Sequence, residues 1–152
     1  MVKMSSTEPF KLNDLISVDF KGRKITGKLV GVDTYSLEGF DGKKTGWPSY
    51  TLVSDRKDKF GRFWFVRWGE ANWILWLDAK SMTVPKGAKL IPAKSGIAKI
   101  EFEGDAGVST PYAALVQYKT DDGYFSGERF AGSEVLYFRG HKIPKPRVEP
   151  GG

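Results

Sequence analysis

The sequence predicts a mainly β protein with little helix, built as a small barrel or as curved sheets, with two related β halves as one form of it. Three observations favour this fold class. Apolar residues alternate with polar ones at a period of two, and 18 glycines supply the turns and bulges that short strands need. No segment keeps the apolar spacing of a helix over more than two turns. The 152 residues suffice for one domain or for two small, closely packed halves.

The first strands are predicted around two turn sequences. Residues 15–20 alternate between apolar and polar side chains, and Lys21-Gly22 then offers a tight turn into the next strand, so we expect a hairpin. A second turn at Asp41-Gly42 precedes another strand. Pro48 lies near the start of that strand, as a residue that cannot donate to a ladder must.

Two aromatic segments are predicted to be the central strands. Residues 60–68 and 73–77 carry large apolar groups on both faces, which is typical of strands that are covered on two sides. A helix is the competing interpretation for residues 73–80, but their aromatic content and short length favour a strand.

The later part of the chain repeats the alternating pattern. Residues 98–102 alternate as a half-buried strand does, residues 113–118 lead through a Gly-containing turn at 121–123 into the next strand, and residues 135–138 form a further strand.

Composition shifts divide the chain into five predicted segments. Pro85, Gly87 and Pro92 mark a connection, and a proline-spaced end is expected to be extended. The segments are a flexible N-terminus at residues 1–9, a first β half at 10–84, a connection at 85–96, a second β half at 97–143, and an extended, proline-rich tail at 144–152.

Residues 18–25 and 136–143 share one pattern, in which Phe, a basic residue and Gly precede a basic residue or His, then Lys and Ile. One interpretation is that two hairpins use the same solvated turn. The other is that two similar basic turns face one ligand. Both stay open from the sequence.

Composition argues against catalysis. The chain has no cysteine and one histidine, which excludes disulfides, thiolate zinc sites, iron–sulfur clusters and paired acid–base histidines. We therefore expect no catalytic residue, metal or cofactor, and no catalytic role for His141. A hydrolase stays open as a third interpretation, since it needs only two converging carboxylates.

Charge and aromatic residues instead favour binding. A net charge of +6 attracts acidic protein surfaces and phosphate backbones. We expect a non-catalytic module that contacts a macromolecular partner, most simply an acidic protein surface. The predicted contact residues are Lys21, Arg23, Lys24, Arg62, Arg67, Arg139 and Lys142.

The alternative is a β-barrel that binds nucleic acid, with single strands favoured. Trp64 and Trp68 are the stacking candidates, because exposed rings beside arginines hold unpaired bases. The same rings can instead be core, and Trp47 and Tyr50 are predicted to be core anchors. Exposure of the rings decides between the two.

The start of the chain is polar, without the apolar stretch of a secretory signal, and no apolar run approaches the roughly 18 residues of a membrane span. We therefore expect a cytoplasmic protein without a membrane-spanning segment. The sequence predicts no oligomeric state.

The segment Gly46 to Leu52, which reads GWPSYTL, and the aromatic run to Trp76-Leu77 resemble a bacterial family named domain of unknown function 4178. Members of that family typically show a Gly-turn hairpin, then Trp-x-x-Tyr-x-Leu, then an aromatic strand pair that ends in Trp-Leu. The later residues 137–140 are also similar, so the resemblance covers roughly residues 10–143. It implies a β-rich fold and no established catalytic residues.

Overall fold

A computed structural model of the chain describes residues 10–54, 62–68, 72–79, 83–104, 111–130 and 134–149. Within these residues the chain forms eleven strands and one short 3-10 turn, Pro92–Lys94. The strands are β1 (Leu15–Phe20), β2 (Arg23–Gly39), β3 (Lys44–Ser54), β4 (Arg62–Arg67), β5 (Trp73–Asp78), β6 (Lys89–Leu90), β7 (Gly96–Gly104), β8 (Tyr112–Thr120), β9 (Gly123–Phe130), β10 (Val135–Ile143) and β11 (Arg147–Val148). No helix in the described part of the chain has the length and hydropathy to span a membrane.

Eight of the strands close into an antiparallel barrel. Their order is β2, β3, β4, β5, β10, β9, β8 and β7, and β7 then pairs with β2. The predicted mainly β class with a small barrel is therefore confirmed. Strands from residues 10–84 and 97–143 join in this one barrel, because β10 pairs with β5 and β7 pairs with β2.

The remaining part of the sheet lies outside the barrel. The first half of the 17-residue strand β2 pairs with β1, and a bulge between Leu29 and Gly31 separates it from the half that pairs with β7. A bulge bends a strand, which lets one strand serve two layers. The β1–β2 hairpin turns at Lys21 and Gly22, both at positive φ, as predicted for this tight turn.

Successive side chains of β4 and β5 point to opposite faces, and both faces are buried. Val66 and Trp76 belong to the core inside the barrel, whereas Phe65 and Leu75 belong to a second core beneath β1 and the first half of β2. The prediction that these strands are central and covered on two sides is confirmed.

The predicted basic turn at Arg139 to Lys142 is wrong, because these residues lie inside β10. Gly140 pairs with Trp76 on one side and with Tyr124 on the other. Glycine is needed here for packing, because a Cβ at this position would lie 2.7 Å from the Trp76 ring. Thus one of the two matching sequence segments turns at its glycine, and the other continues as a strand.

Closure of the barrel at β2 and β7 gives a first prediction. Gly104 and Gly42 both have positive φ, but a Cβ at Gly104 would lie 2.5 Å from the Val30 carbonyl oxygen, whereas a Cβ at Gly42 meets nothing within 4 Å. Gly42→Ala should cost about 1 kcal/mol of the free energy of unfolding, for backbone conformation alone. Gly104→Ala should cost about 2 kcal/mol more, because the strands must also separate. Urea unfolding measures both, and equal losses would contradict this close approach.

Candidate ligand-binding cavity

A cavity of about 320 Å³ lies inside the barrel. Side chains from seven of the eight barrel strands line it, and only β7 contributes none. The lining residues recur at every second position, such as Asp33 and Tyr35 on β2 or Glu128 and Phe130 on β9, because alternate side chains of a barrel strand point inward. Its volume is at the lower end of the range of small-molecule sites, about 300–1,000 Å³.

Seven of the fifteen described residues that line the cavity are aromatic. Four of the five tryptophans line it, together with one tyrosine and two phenylalanines. The rings contact one another edge to face: centroids are 5.9 Å apart for Trp47 and Trp68, 5.7 Å for Trp68 and Trp76, and 5.5 Å for Trp64 and Phe138. Such contacts hold each ring in one orientation, so the wall is preformed.

One end of the barrel is closed by the 3-10 turn. The turn is fixed to β2 by the Phe40 N–H, which donates to the Pro92 carbonyl at 2.9 Å. The Lys94 ammonium lies 5.2 Å from the ring centroid of Trp47 and 5.7 Å from that of Trp68. Burial lowers the pKa of this lysine. Both indoles also line the cavity, so a cation already lies against its wall.

The opposite end is where the lining becomes exposed. Arg62 begins β4, Asp78 ends β5 and Leu136 lies near the start of β10, and all three line the cavity and are exposed to solvent. Among the described residues, this end gives a ligand the most direct path to the interior.

A cluster of polar side chains lies among the aromatic residues of the cavity wall. Asp33 and Gln117 are each only 3% exposed, and neither Asp33 Oδ1 nor Gln117 Oε1 has a hydrogen-bond partner among the described residues. The Trp68 Nε1–H is likewise buried without a described acceptor. Buried polar atoms are normally paired, so these three atoms, on residues that line the cavity, have unused hydrogen-bonding capacity.

The two carboxyls that line the cavity on β2 and β9, Asp33 and Glu128, have strongly raised pKa values. Burial raises the pKa of Asp33 to about 7. Burial raises the pKa of Glu128 to about 7 as well, with a smaller contribution from repulsion by Asp33, while a hydrogen bond from the Ser126 hydroxyl at 3.3 Å opposes the rise. No lysine or arginine of the described segments forms an ion pair with either carboxyl. Burial, Glu128 and Asp33 together raise the pKa of Tyr35 well above its ordinary value.

The predicted contact residues are distributed over the outside of the barrel and its rim. Lys21 and Lys142 are exposed and line one open cleft of about 370 Å³, together with His141. The rings of Phe20 and His141 are 4.8 Å apart, so the two matching sequence segments meet here. Burial, Lys21 and Arg139 lower the pKa of His141.

The other predicted basic residues contact partners within the chain or lie at the rim. Arg62 lies at the cavity opening, and Arg23 is exposed. The remaining contacts are Lys24 with Glu149 at 2.6 Å, Arg139 with Asp122 at 3.2 Å, and Arg67 over the Trp73 ring at 5.7 Å.

Both stacking candidates lie in the cavity wall. Trp68 is 6% exposed and Trp64 is partly buried, and both line the interior. Trp47 and Tyr50 are buried, at 4% and 1% exposure, as predicted for core anchors. The rings therefore face an enclosed volume, whereas stacking on a single strand needs rings open to solvent.

The polar cluster at Asp33 and Glu128 was not predicted from the sequence, although the position of each carboxyl in its strand is a signal for it. Asp33 is in phase with Tyr35 and Leu37 on β2, so a carboxyl occupies the apolar face of an alternating strand. Glu128 is similarly in phase with Phe130 on β9. An acidic residue at the inward phase of a strand is costly to bury and indicates a special role.

No protein-family model, curated protein or solved structure matches this chain. The resemblance to domain of unknown function 4178 therefore stays a prediction. In the described part of the chain, no three acidic or histidine side chains come together in a way that could hold a metal ion.

Proposed function

We propose that this chain is a binding protein that encloses a small organic molecule inside its barrel. The observation that carries the proposal is an aromatic-walled cavity with buried polar atoms that lack partners in the described structure. Ligand sites in proteins combine these two features, a largely apolar wall and a few convergent polar groups. No bond-breaking step is needed to explain them.

Tryptophan indole resonances test this proposal. Trp64, Trp68 and Trp76 line the cavity, whereas Trp73 belongs to the second core and serves as an internal reference. Titration with 2-phenylethylamine and with 2-phenylethanol, followed in ¹H–¹⁵N spectra, should shift the indole N–H signals of the lining tryptophans and leave that of Trp73 in place. Absence of any shift with either compound would refute the proposed function.

Blocking the opening gives a second prediction. Leu136→Trp places a large ring at the open end of the cavity and should weaken binding of either compound about tenfold, because the ring fills space that the ligand must cross or occupy. Val135→Trp is the matched control: Val135 is also exposed, at 39%, but does not line the cavity. Isothermal titration calorimetry compares the two variants, and an equal effect of both would contradict access from this end.

A second candidate function concerns the outer cleft. Lys21 and Lys142 come from the two matching segments and line one cleft, which Asp19 and Asp122 line as well. The two exposed lysines would contact an acidic protein surface. A nucleic acid is the alternative partner, and its affinity would fall steeply with salt. The cytoplasmic location expected from the sequence also stays a prediction.

Charge reversal tests that second candidate. Lys21→Glu with Lys142→Glu should abolish binding to an acidic polypeptide such as polyglutamate, while the melting temperature changes little, since exposed substitutions usually stay within about 0.5 kcal/mol. Titration with single-stranded and duplex oligonucleotides at two salt concentrations tests whether the partner is instead a nucleic acid. Unchanged polyglutamate binding in the variant, or none in the parent, would refute the cleft.

A further inference from the structure

We infer that the cavity selects a ligand with a protonated amine or amidine head and an apolar body, and this inference rests on the proposed function. The head would lie at Asp33, Gln117 and Glu128, and the body would lie against the tryptophan and phenylalanine wall. Charge, hydrogen-bonding capacity and ring chemistry each support this assignment.

The charge inside the barrel is opposite to that of the whole chain. The protein carries a net charge of +6, yet three carboxyls and one guanidinium line the cavity: Asp33, Asp78 and Glu128 against Arg62. Two of the carboxyls, Asp33 and Glu128, repel each other and have no described cationic partner. An anionic ligand would add a third negative charge at this point, whereas a cation would offset the repulsion.

Two of the three unpaired atoms that line the cavity are acceptors and need a ligand that donates hydrogen bonds, whereas the third, the Trp68 Nε1–H, is a donor that an ammonium head leaves unpaired. Asp33 Oδ1 and Gln117 Oε1 are acceptors, and both are buried without a described donor. A protonated primary amine has three N–H donors, so it carries enough donors for both acceptors. A quaternary ammonium ion has none and would leave them unpaired. Hydrogen bonds to charged groups contribute about 1.5–3 kcal/mol each, so this difference is large enough to discriminate.

The aromatic wall also favours a cation. A positive charge over the face of an indole is attracted by the ring quadrupole, most strongly where water is excluded. Lys94 already makes this contact with Trp47 and Trp68 from the closed end, so the same wall tolerates an ammonium ion. Trp64 and Phe138 form the corresponding surface nearer the opening and are available to the apolar body.

Affinity for such a cation should depend on pH. Asp33 and Glu128 are protonated below about pH 7 and ionised above it, so they attract a cation best on the alkaline side. The other charged or titratable groups that line the cavity are Tyr35, which stays neutral through this range, and Arg62 and Asp78 at the opening.

Three compounds of similar size test the inference. 2-Phenylethylamine, 2-phenylethanol and 3-phenylpropionate present a cationic, a neutral and an anionic head on one apolar body. At about pH 8 the amine should bind about tenfold or more tightly than the alcohol, with the carboxylate weakest, and its affinity should fall about tenfold at about pH 5.5. Calorimetry measures all three dissociation constants on the full chain.

The outcomes separate this inference from the proposed function. If the alcohol or the carboxylate binds as tightly as the amine, the cationic ligand is refuted while the cavity remains a binding site. If none of the three shifts the indole signals of the lining tryptophans, both proposals fail.

Two substitutions locate the head group. Asp33→Asn and Glu128→Gln should each reduce the preference for the amine over the alcohol about tenfold and flatten its pH dependence. Glu101→Gln is the control, because this carboxyl is exposed on β7, which does not line the cavity. A full amine preference in every interior variant that folds would overturn the assignment, so one folded variant is enough for the test.

Discussion

Replacing Phe65 with alanine is expected to cost about 3–5 kcal/mol of the free energy of unfolding, which is the range for truncating a buried phenylalanine. Phe65 is fully buried in the core beneath β1 and the first half of β2. Its ring lies 4.9 Å from that of Tyr50, 5.5 Å from that of Phe10 and 5.9 Å from that of Trp73. The substitution therefore removes three aromatic contacts and leaves a cavity that rigid strands cannot fill.

Such a loss is large beside the total stability of a domain, about 5–15 kcal/mol. Chemical unfolding followed by tryptophan fluorescence measures it, and Phe40→Ala is the matched control, since Phe40 is 61% exposed. The control should change stability by about 0.5 kcal/mol or less. A loss below about 1 kcal/mol in Phe65→Ala would contradict the packing of the outer hairpin on the barrel.

The parent protein is expected to lose free energy of unfolding as the pH rises to neutral. Joint replacement of the interior carboxyls, Asp33→Asn with Glu128→Gln, should prevent this loss. Each pKa is raised to about 7 from ordinary values of 3.8 and 4.5. Between those values the native state binds more protons than the unfolded state, so the free energy of unfolding falls as pH rises from about 4.5 to about 7 and then levels off. We expect the parent to lose about 3–6 kcal/mol over this range, from the two carboxyls together, and the double variant to lose little.

Unfolding at several pH values between about 4 and 8, without added ligand, tests this expectation. His141 has a lowered pKa and changes stability in the opposite direction, but it is present in both proteins and cancels in the difference. Asp19 and Asp122, whose pKa values are lowered mainly by hydrogen bonds from Arg147 and Thr120, act at lower pH and cancel as well. A difference that does not depend on pH would show that the pKa values of the two carboxyls are not raised in the folded protein.

The strands were predictable from local chemistry, but the closure of the barrel was not. Period-two alternation and the Lys21-Gly22 turn indicate the β1–β2 hairpin directly, because neighbouring residues determine a tight turn. The pairing of Gly140 with Trp76 joins residues 64 positions apart, and no local pattern specifies it. The same pairing explains why Arg139 to Lys142 continues as a strand although its sequence resembles a turn.

The site was predictable in its residue types more than in its location. The aromatic and basic residues around Trp64 and Trp68 indicate binding, but whether a ring faces solvent or a cavity depends on curvature, which alternation does not encode. The carboxyls of Asp33 and Glu128 belong to strands that are far apart in the chain. Only the inward phase of each carboxyl, visible once its strand is assigned, could have indicated it.

A crystal structure of the chain with 2-phenylethylamine tests the ligand site most directly. We predict electron density for one molecule inside the barrel, with its ammonium nitrogen about 3 Å from Asp33 Oδ1 and its ring against Trp64 and Phe138. An interior that holds only water at saturating amine, or amine bound only in the outer cleft beside Lys21 and His141, would contradict an interior binding site.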